Sequence, residues 1–166
     1  MTHELSGCWI SCGTKVPFYL RKEIELVKDI ASAKVQVTGL GQFNLYINGT
    51  KVSDHVLDPA WTDYNKLVEF LTFDVKELLY NGINALGMEV GNGWYLWDTD
   101  CGYAFHFPPF MPPNPNPYRP FGESLVAALS LCVTYTDGTT ETVTTDASWK
   151  WAPHPVLHSN VYGSER

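Results

Sequence analysis

Apolar and polar residues alternate along most of this 166-residue chain, a pattern typical of β-strands with one buried face. In residues 18–26 the side chains of Phe18, Leu20, Ile24 and Leu26 fall on one side of the predicted strand. The same pattern recurs in 33–37, 43–47, 86–90 and 125–143. About eight short strands with almost no helix favour an all-β fold, a two-sheet β-sandwich or jelly roll.

Turn signals separate several of these strands. Asn48-Gly49 lies between two alternating runs and predicts a hairpin over residues 42–53, because both central positions of such a turn need positive φ. Asp137-Gly138 predicts a second hairpin within residues 125–143. Asn48-Gly49-Thr50 also matches the glycosylation acceptor pattern, which we interpret here as turn chemistry.

Residues 67–73 are apolar on both sides of the predicted strand, which favours a central position in its sheet. Asp74 can then cap a short helical turn, with Glu77 completing a capping-box pattern and Asn81-Gly82 ending the turn.

One proline-rich segment interrupts the strand pattern. Seven prolines fall between Pro108 and Pro120, and proline cannot donate to a sheet ladder. We therefore predict one β-sandwich domain over residues 1–166 with a long excursion at about 99–122, of the kind that is functional or packs on another domain.

Charge and composition exclude several partners. The formal net charge of −7, with no basic cluster, disfavours nucleic acid and anionic membranes as partners. The opening residues do not read as a signal peptide, so we expect a cytoplasmic location. Of the four cysteines, Cys8 and Cys12 lie close together, but no second pair follows to complete a zinc site. We therefore interpret all four as reduced, unliganded thiols.

The strongest candidate for a binding surface is EVGNGWYLWD, residues 89–98. Glycines at 91 and 93 permit a sharp bend that presents rings at the sandwich rim, where they can lie under a sugar's apolar face. Alternation still sends one of the first two rings inward. The candidate sugar-binding residues here are Asn92, Trp94, Tyr95, Trp97, Asp98 and Asp100. Purely structural packing of this group is the competing interpretation.

Two further aromatic groups are interpreted structurally. Trp61 in the motif PAWTDY is expected to plug the sandwich end, with Asp63 and Tyr64 organising the turn through side-chain hydrogen bonds to the backbone. Trp61 and Asp63 remain secondary sugar-binding candidates. Trp149 and Trp151 are expected to share one side of a short strand and to pack in the core or against another domain.

Catalytic and metal-binding patterns are weak. Glycoside hydrolysis requires two carboxyl groups that face each other across the sugar, and none of the acids here has a partner that the sequence places. Asp98 and Asp100 fit a solvated loop best, and a calcium or sugar-hydroxyl contact second. The five histidines have no ligand spacing. We predict no catalytic residue and no metal ligand.

Residues 40–95 carry a family resemblance. In order they contain LYING with a following KV, LDPAWTDY, DVKELLYNGINALG and GNGWY. This succession resembles the N-terminal β-sandwich module of bacterial α-L-rhamnosidases, and PFYLRKEIEL and the segment from DASWKWAP to HSNVYGSE resemble the flanks. The resemblance implies a galactose-binding-domain-like sandwich, and some relatives of this module bind carbohydrate through calcium. In that family the catalytic carboxylates lie in a later helical domain, so this chain is expected to be a fragment of a larger enzyme.

The resemblance implies an accessory, carbohydrate-recognising module that does not hydrolyse substrate alone. Its expected partners are a rhamnose-containing glycan and the downstream domains of the parent enzyme. A structural docking module without sugar affinity is the alternative, and an autonomous enzyme is a third hypothesis.

Overall fold

The computed structural model of this chain describes residues 5, 7–96, 121–157, 159–160 and 164–165. Over these residues the chain forms two antiparallel sheets and a short two-stranded ribbon, which confirms the predicted all-β sandwich. The strands are β1 Phe18–Leu26, β2 Ile30–Leu40, β3 Gln42–Ile47, β4 Thr50–Lys51, β5 Leu71–Asp74, β6 Gly82–Gly91, β7 Val126–Tyr135, β8 Thr140–Thr144, β9 Lys150–Pro153, β10 Ser159–Asn160 and β11 Ser164–Glu165.

The strand order brings distant parts of the chain together. One sheet has the order β4-β3-β6-β1-β9, the other β5-β2-β7-β8, and β10 pairs with β11. A single residue, Gly41, joins β2 in one sheet to β3 in the other, and its φ is +122°. The connection from β2 to β3 therefore passes from one sheet to the other at one glycine.

The inward faces of both sheets form one apolar core, as the alternation predicts. Phe18, Val35, Ile47, Met88 and Leu131 are each at most 1% exposed and come from five different strands. Burial of such a side chain stabilises the folded state by about 1.5–3 kcal/mol. The core therefore supplies a rigid support for the loops at the sandwich ends.

The predicted hairpin at Asn48-Gly49 is confirmed. Asn48 has φ 51° and Gly49 φ 82°, and β3 pairs with β4 across the turn. The Asn48 side chain accepts a hydrogen bond from the Ala85 amide (2.8 Å) and donates one to the Leu78 carbonyl (2.8 Å). The side chain of Asn48 therefore helps to hold the turn in place, in agreement with our interpretation of Asn48-Gly49-Thr50 as turn chemistry.

The predicted helical turn after Asp74 is a 3₁₀ turn over Lys76–Leu78. Asp74 Oδ1 accepts a hydrogen bond from the Lys76 amide (3.1 Å), although Val75 holds the cap position and makes no side-chain cap bond. Gly82, with φ 119°, begins β6.

The central position predicted for residues 67–73 is wrong. The strand is β5, Leu71–Asp74, at the edge of its sheet, and Leu67 is 57% exposed. The apolar residues before β5 do not pair in the ladder. Instead, the Glu69 carbonyl accepts a hydrogen bond from the buried Thr38 hydroxyl (2.6 Å), so this segment lies over the end of β2. The apolar residues on both sides of this segment reflect its position over β2 and not a central place in the sheet.

Trp149 and Trp151 do not share one environment, contrary to the prediction. Trp149 precedes β9, is 7% exposed and donates its indole N–H to the Thr144 carbonyl (3.1 Å). Trp151, within β9, is 55% exposed. Only Trp149 of this pair joins the core.

Three of the four cysteines lie within the described residues, and Cys8, Cys12 and Cys132 are free thiols. Partial burial raises the pKa of Cys12 to about 11, so this thiol stays protonated at neutral pH. No helix in the described part of the chain has the length and apolar character needed to cross a membrane.

Candidate functional site

The chain turns sharply where β6 ends, as the glycines of 91–93 predict. Gly93 has φ 51°, and a Cβ there would lie 2.5 Å from Cγ of Gln42. Its amide donates to the Ser159 carbonyl (3.0 Å), while the amides of Tyr95 and Leu96 both donate to the Asn92 carbonyl (3.3 Å each). Glycine at 93 therefore permits both the left-handed backbone and close packing against β3.

Asn92 lies beneath this bend. It is 2% exposed, its Nδ2 donates to the Lys15 carbonyl (2.6 Å), and its Oδ1 accepts from the Ser159 amide (3.2 Å). Both ends of the amide are thus bonded to backbone groups from distant parts of the chain. This geometry gives Asn92 a structural position beneath the rim, whereas the sequence had suggested contact with a sugar hydroxyl.

Trp94 and Tyr95 take different environments, and the prediction that one of them turns inward is confirmed. Tyr95 is 9% exposed. Its ring packs edge-on against Tyr64 (centroids 5.3 Å apart) and lies parallel to the ring of Phe121 at 6.5 Å. Tyr64 also meets Phe121 edge-on at 5.0 Å. These three rings close the end of the sandwich.

Trp61 does not plug the sandwich end, contrary to the prediction. It is 63% exposed, because the ring cluster of Tyr64, Tyr95 and Phe121 already fills that end. Its centroid lies instead 6.2 Å from that of the partly exposed Trp94, with 41° between the ring planes. Two indole rings therefore meet at the surface above the ring cluster.

Asp63 stands in the turn that follows Trp61. Its Oδ1 accepts a hydrogen bond from the Asn65 amide (3.2 Å), and its Oδ2 pairs with the Lys66 ammonium (2.8 Å). These contacts confirm that Asp63 organises the turn. The hydrogen bond from Lys66 lowers the pKa of Asp63, so the carboxylate is ionised at neutral pH and accepts rather than donates hydrogen bonds. We call Trp61, Asp63 and Trp94 the aromatic rim.

The other candidates cannot be placed around the rim. Trp97, Asp98 and Asp100 lie outside the described residues, as do residues 99–120 of the predicted proline-rich excursion. Within the described ranges, no group of three or more His, Cys, Asp or Glu side chains is arranged to hold a metal ion. The suggested calcium contact of Asp98 and Asp100 therefore stays a prediction.

The Tyr64 hydroxyl offers a test of the ring cluster. It is buried and has no hydrogen-bond partner among the described residues, contrary to the backbone contact predicted for it, and burial raises its pKa. An unpaired buried hydroxyl destabilises the folded state, so Tyr64→Phe should leave stability unchanged or raise it by about 1 kcal/mol. Urea denaturation checks this, and a loss above about 1 kcal/mol would reveal a partner for the hydroxyl.

Fold and rim together define the class: a β-sandwich module in which an exposed indole ring meets a partly exposed one at the surface. The chain matches the family model of the alpha-L-rhamnosidase N-terminal domain over residues 28–166. It belongs to this family, which confirms the resemblance seen in the sequence.

Known relatives are much longer proteins. An alpha-L-rhamnosidase of Formosa agariphila is 35% identical over 151 residues, which cover 89% of this chain and 14% of that protein. The crystal structure of alpha-L-rhamnosidase from Aspergillus terreus matches 95% of this chain and 18% of its own, with 32% identity and TM-score 0.80. The alpha-L-rhamnosidase of Streptomyces avermitilis, complexed with L-rhamnose, matches 90% of this chain and 13% of its own, with 30% identity and TM-score 0.76. The chain thus spans less than a fifth of these relatives.

Proposed function

We propose that this chain is the carbohydrate-recognising accessory module of an α-L-rhamnosidase-like glycoside hydrolase. In this proposal it binds a rhamnose-containing glycan and supports a catalytic domain that lies elsewhere in the parent protein. Family membership and the rhamnosidase names of the relatives support the parentage.

The observation that carries the sugar-binding proposal is the indole pair of the aromatic rim, in which Trp61 is exposed and Trp94 is partly exposed. Trp61 is 63% exposed although most large apolar side chains of the sandwich are buried. A flat apolar ring at a surface suits the apolar face of a pyranose, and a nearby ionised carboxylate accepts hydrogen bonds from hydroxyl groups. Asp63 supplies such a carboxylate on the same loop.

No catalytic role is proposed for the rim. Hydrolysis of a glycoside calls for a protonated acid and a second carboxylate on the other side of the bond. Asp63 is ionised and paired with Lys66, which suits recognition rather than proton donation.

Isothermal titration of the chain with methyl α-L-rhamnopyranoside tests the proposal. We expect saturable binding, weakened by about tenfold in Trp61→Ala, because that change removes one of the two rings under the sugar. Trp151→Ala is the matched control, since Trp151 is exposed but lies in β9, outside the rim. Absence of heat at millimolar glycoside, or equal binding by both variants, would contradict rim recognition.

A docking module without sugar affinity is the second candidate. Large apolar side chains are exposed outside the rim as well, with Trp9 at 48%, Trp151 at 55% and Leu157 at 58%. Such residues suit contact with another domain of a larger protein. This candidate predicts no heat in the titration above.

A further inference from the structure

A second cleft lies on the outer face of the five-stranded sheet, away from the aromatic rim. Its volume is about 260 Å³. Outward positions of β3 and β6, including Asn44 and Glu89, form its floor, and Lys51 lies at one edge. Val56 and Val156 add apolar walls. The cleft therefore combines acceptors, donors and apolar surface in a space about the size of one sugar ring.

The carboxylate of Glu89 is held in a fixed orientation in this cleft. One of its oxygens, Oε2, accepts hydrogen bonds from Asn44 Nδ2 (3.0 Å) and from the Tyr46 hydroxyl (3.1 Å). Burial and the neighbouring Glu89 charge raise the pKa of Tyr46, which keeps its hydroxyl protonated as a donor. In the described part of the chain no residue is bonded to Oε1. That oxygen is thus oriented in advance to accept hydrogen bonds from a ligand.

Aromatic rings flank the floor of the cleft. Tyr19 pairs with Glu89 across β1 and β6, so their side chains share the outer face. The ring of His154, part of the cleft wall, lies 4.5 Å from that of Tyr19 with 39° between their planes. Tyr46 stands on the opposite side of Glu89, in β3. Of these three rings, that of His154 lines the cleft, where it can pack against a C–H face of a pyranose.

From this arrangement we propose that the cleft is a second saccharide-binding site, for a neutral pyranose with adjacent hydroxyl groups. Two adjacent hydroxyls donate to Oε1 of Glu89, the Lys51 ammonium donates to a ring substituent, and the ring of His154 packs against one face of the sugar. The site is separate from the aromatic rim and does not depend on sugar binding there.

Chemical-shift mapping of the ¹⁵N-labelled chain tests this site. The probes are methyl α-L-rhamnopyranoside, methyl α-D-mannopyranoside and methyl β-D-galactopyranoside, each at millimolar concentration. We expect at least one of them to shift the amides of Asn44, Glu89 and Gly91 saturably. If none of the three shifts these amides, the proposal is overturned and the face is left for contact with a protein partner.

Two variants separate this cleft from the rim. Glu89→Gln keeps the shape but removes the charge, and should weaken cleft binding by about tenfold, because hydrogen bonds to charged groups are the stronger ones. Trp61→Ala should leave the cleft shifts unchanged and affect only the rim, so failure of either site is distinguishable from failure of the other. Unchanged affinity in Glu89→Gln, with a spectrum that shows the native fold, would overturn the proposal.

Discussion

Gly41→Ala should lower the free energy of unfolding by about 4 kcal/mol, the largest effect we expect from any single methyl group in this chain. Gly41 alone connects the two sheets between β2 and β3, with φ at +122°. A Cβ there would lie 2.1 Å from the Gly91 carbonyl oxygen and 3.0 Å from Cδ2 of Leu125. The first contact is with backbone, so relief requires β6 to move, and the bend that carries the rim moves with it.

Gly49→Ala is the matched control for this change. Gly49 also has positive φ, at 82°, but a Cβ there meets nothing within 4 Å. We expect it to lose only about 1 kcal/mol, the cost of the backbone conformation. Urea denaturation of both variants gives the comparison. Equal losses would show that the contact with Gly91 does not constrain the fold.

Asn84→Ala should lower the free energy of unfolding by about 3 kcal/mol, because it leaves several buried polar groups without partners. Asn84 is fully buried. Its Nδ2 donates to the carbonyls of Tyr80 (2.8 Å) and Gly82 (3.0 Å), and its Oδ1 accepts from the Tyr80 amide (3.1 Å) and from Asn48 Nδ2 (2.9 Å). This one side chain therefore connects the first hairpin to the start of β6.

Asn81→Ala controls for the loss of an asparagine in the same turn. Asn81 is exposed, so its replacement should change stability by less than about 0.5 kcal/mol. Combining Asn84→Ala with Asn48→Ala should cost less than the sum of the single changes, because the two amides share a hydrogen bond. Additive losses, measured by urea denaturation, would show that the two residues act independently.

The sequence predicted the strands because their periodicity has a direct physical cause. In β1, β3 and β6 one face meets the core, so apolar residues fall at every second position. The hairpin at Asn48-Gly49 was equally predictable, since few residues accept positive φ at two adjacent positions. Local chemistry determines both features.

Positions that depend on contacts distant in sequence were predicted less well. Residues 67–70 were misplaced because the Thr38 hydroxyl bonds the Glu69 carbonyl and holds this segment near the end of β2, a contact that periodicity does not encode. Trp61 is exposed because Tyr64, Tyr95 and Phe121 occupy the end that it was expected to fill. Apolar residue types alone do not indicate which of several rings is buried.

In the candidate site, too, the locally determined features were predicted and the contacts between distant residues were not. Glycines predicted the bend and its positive φ at Gly93, and alternation predicted that Trp94 or Tyr95 would turn inward. The buried contacts of Asn92 with Lys15 and Ser159 were missed, because they join residues far apart in the chain. The outer cleft was also missed. Its floor residues Asn44 and Glu89 face each other across β3 and β6, a pairing that the pattern within each strand does not encode.

The central claim is that the indole pair of the aromatic rim recognises a sugar. It is tested most directly by the indole N–H resonances of the labelled chain during titration with methyl α-L-rhamnopyranoside. The account predicts that the signals of Trp61 and Trp94 shift saturably. The signal of Trp149, which is buried and bonded to the Thr144 carbonyl, should stay in place. Unmoved signals from both Trp61 and Trp94 at millimolar glycoside would contradict the claim.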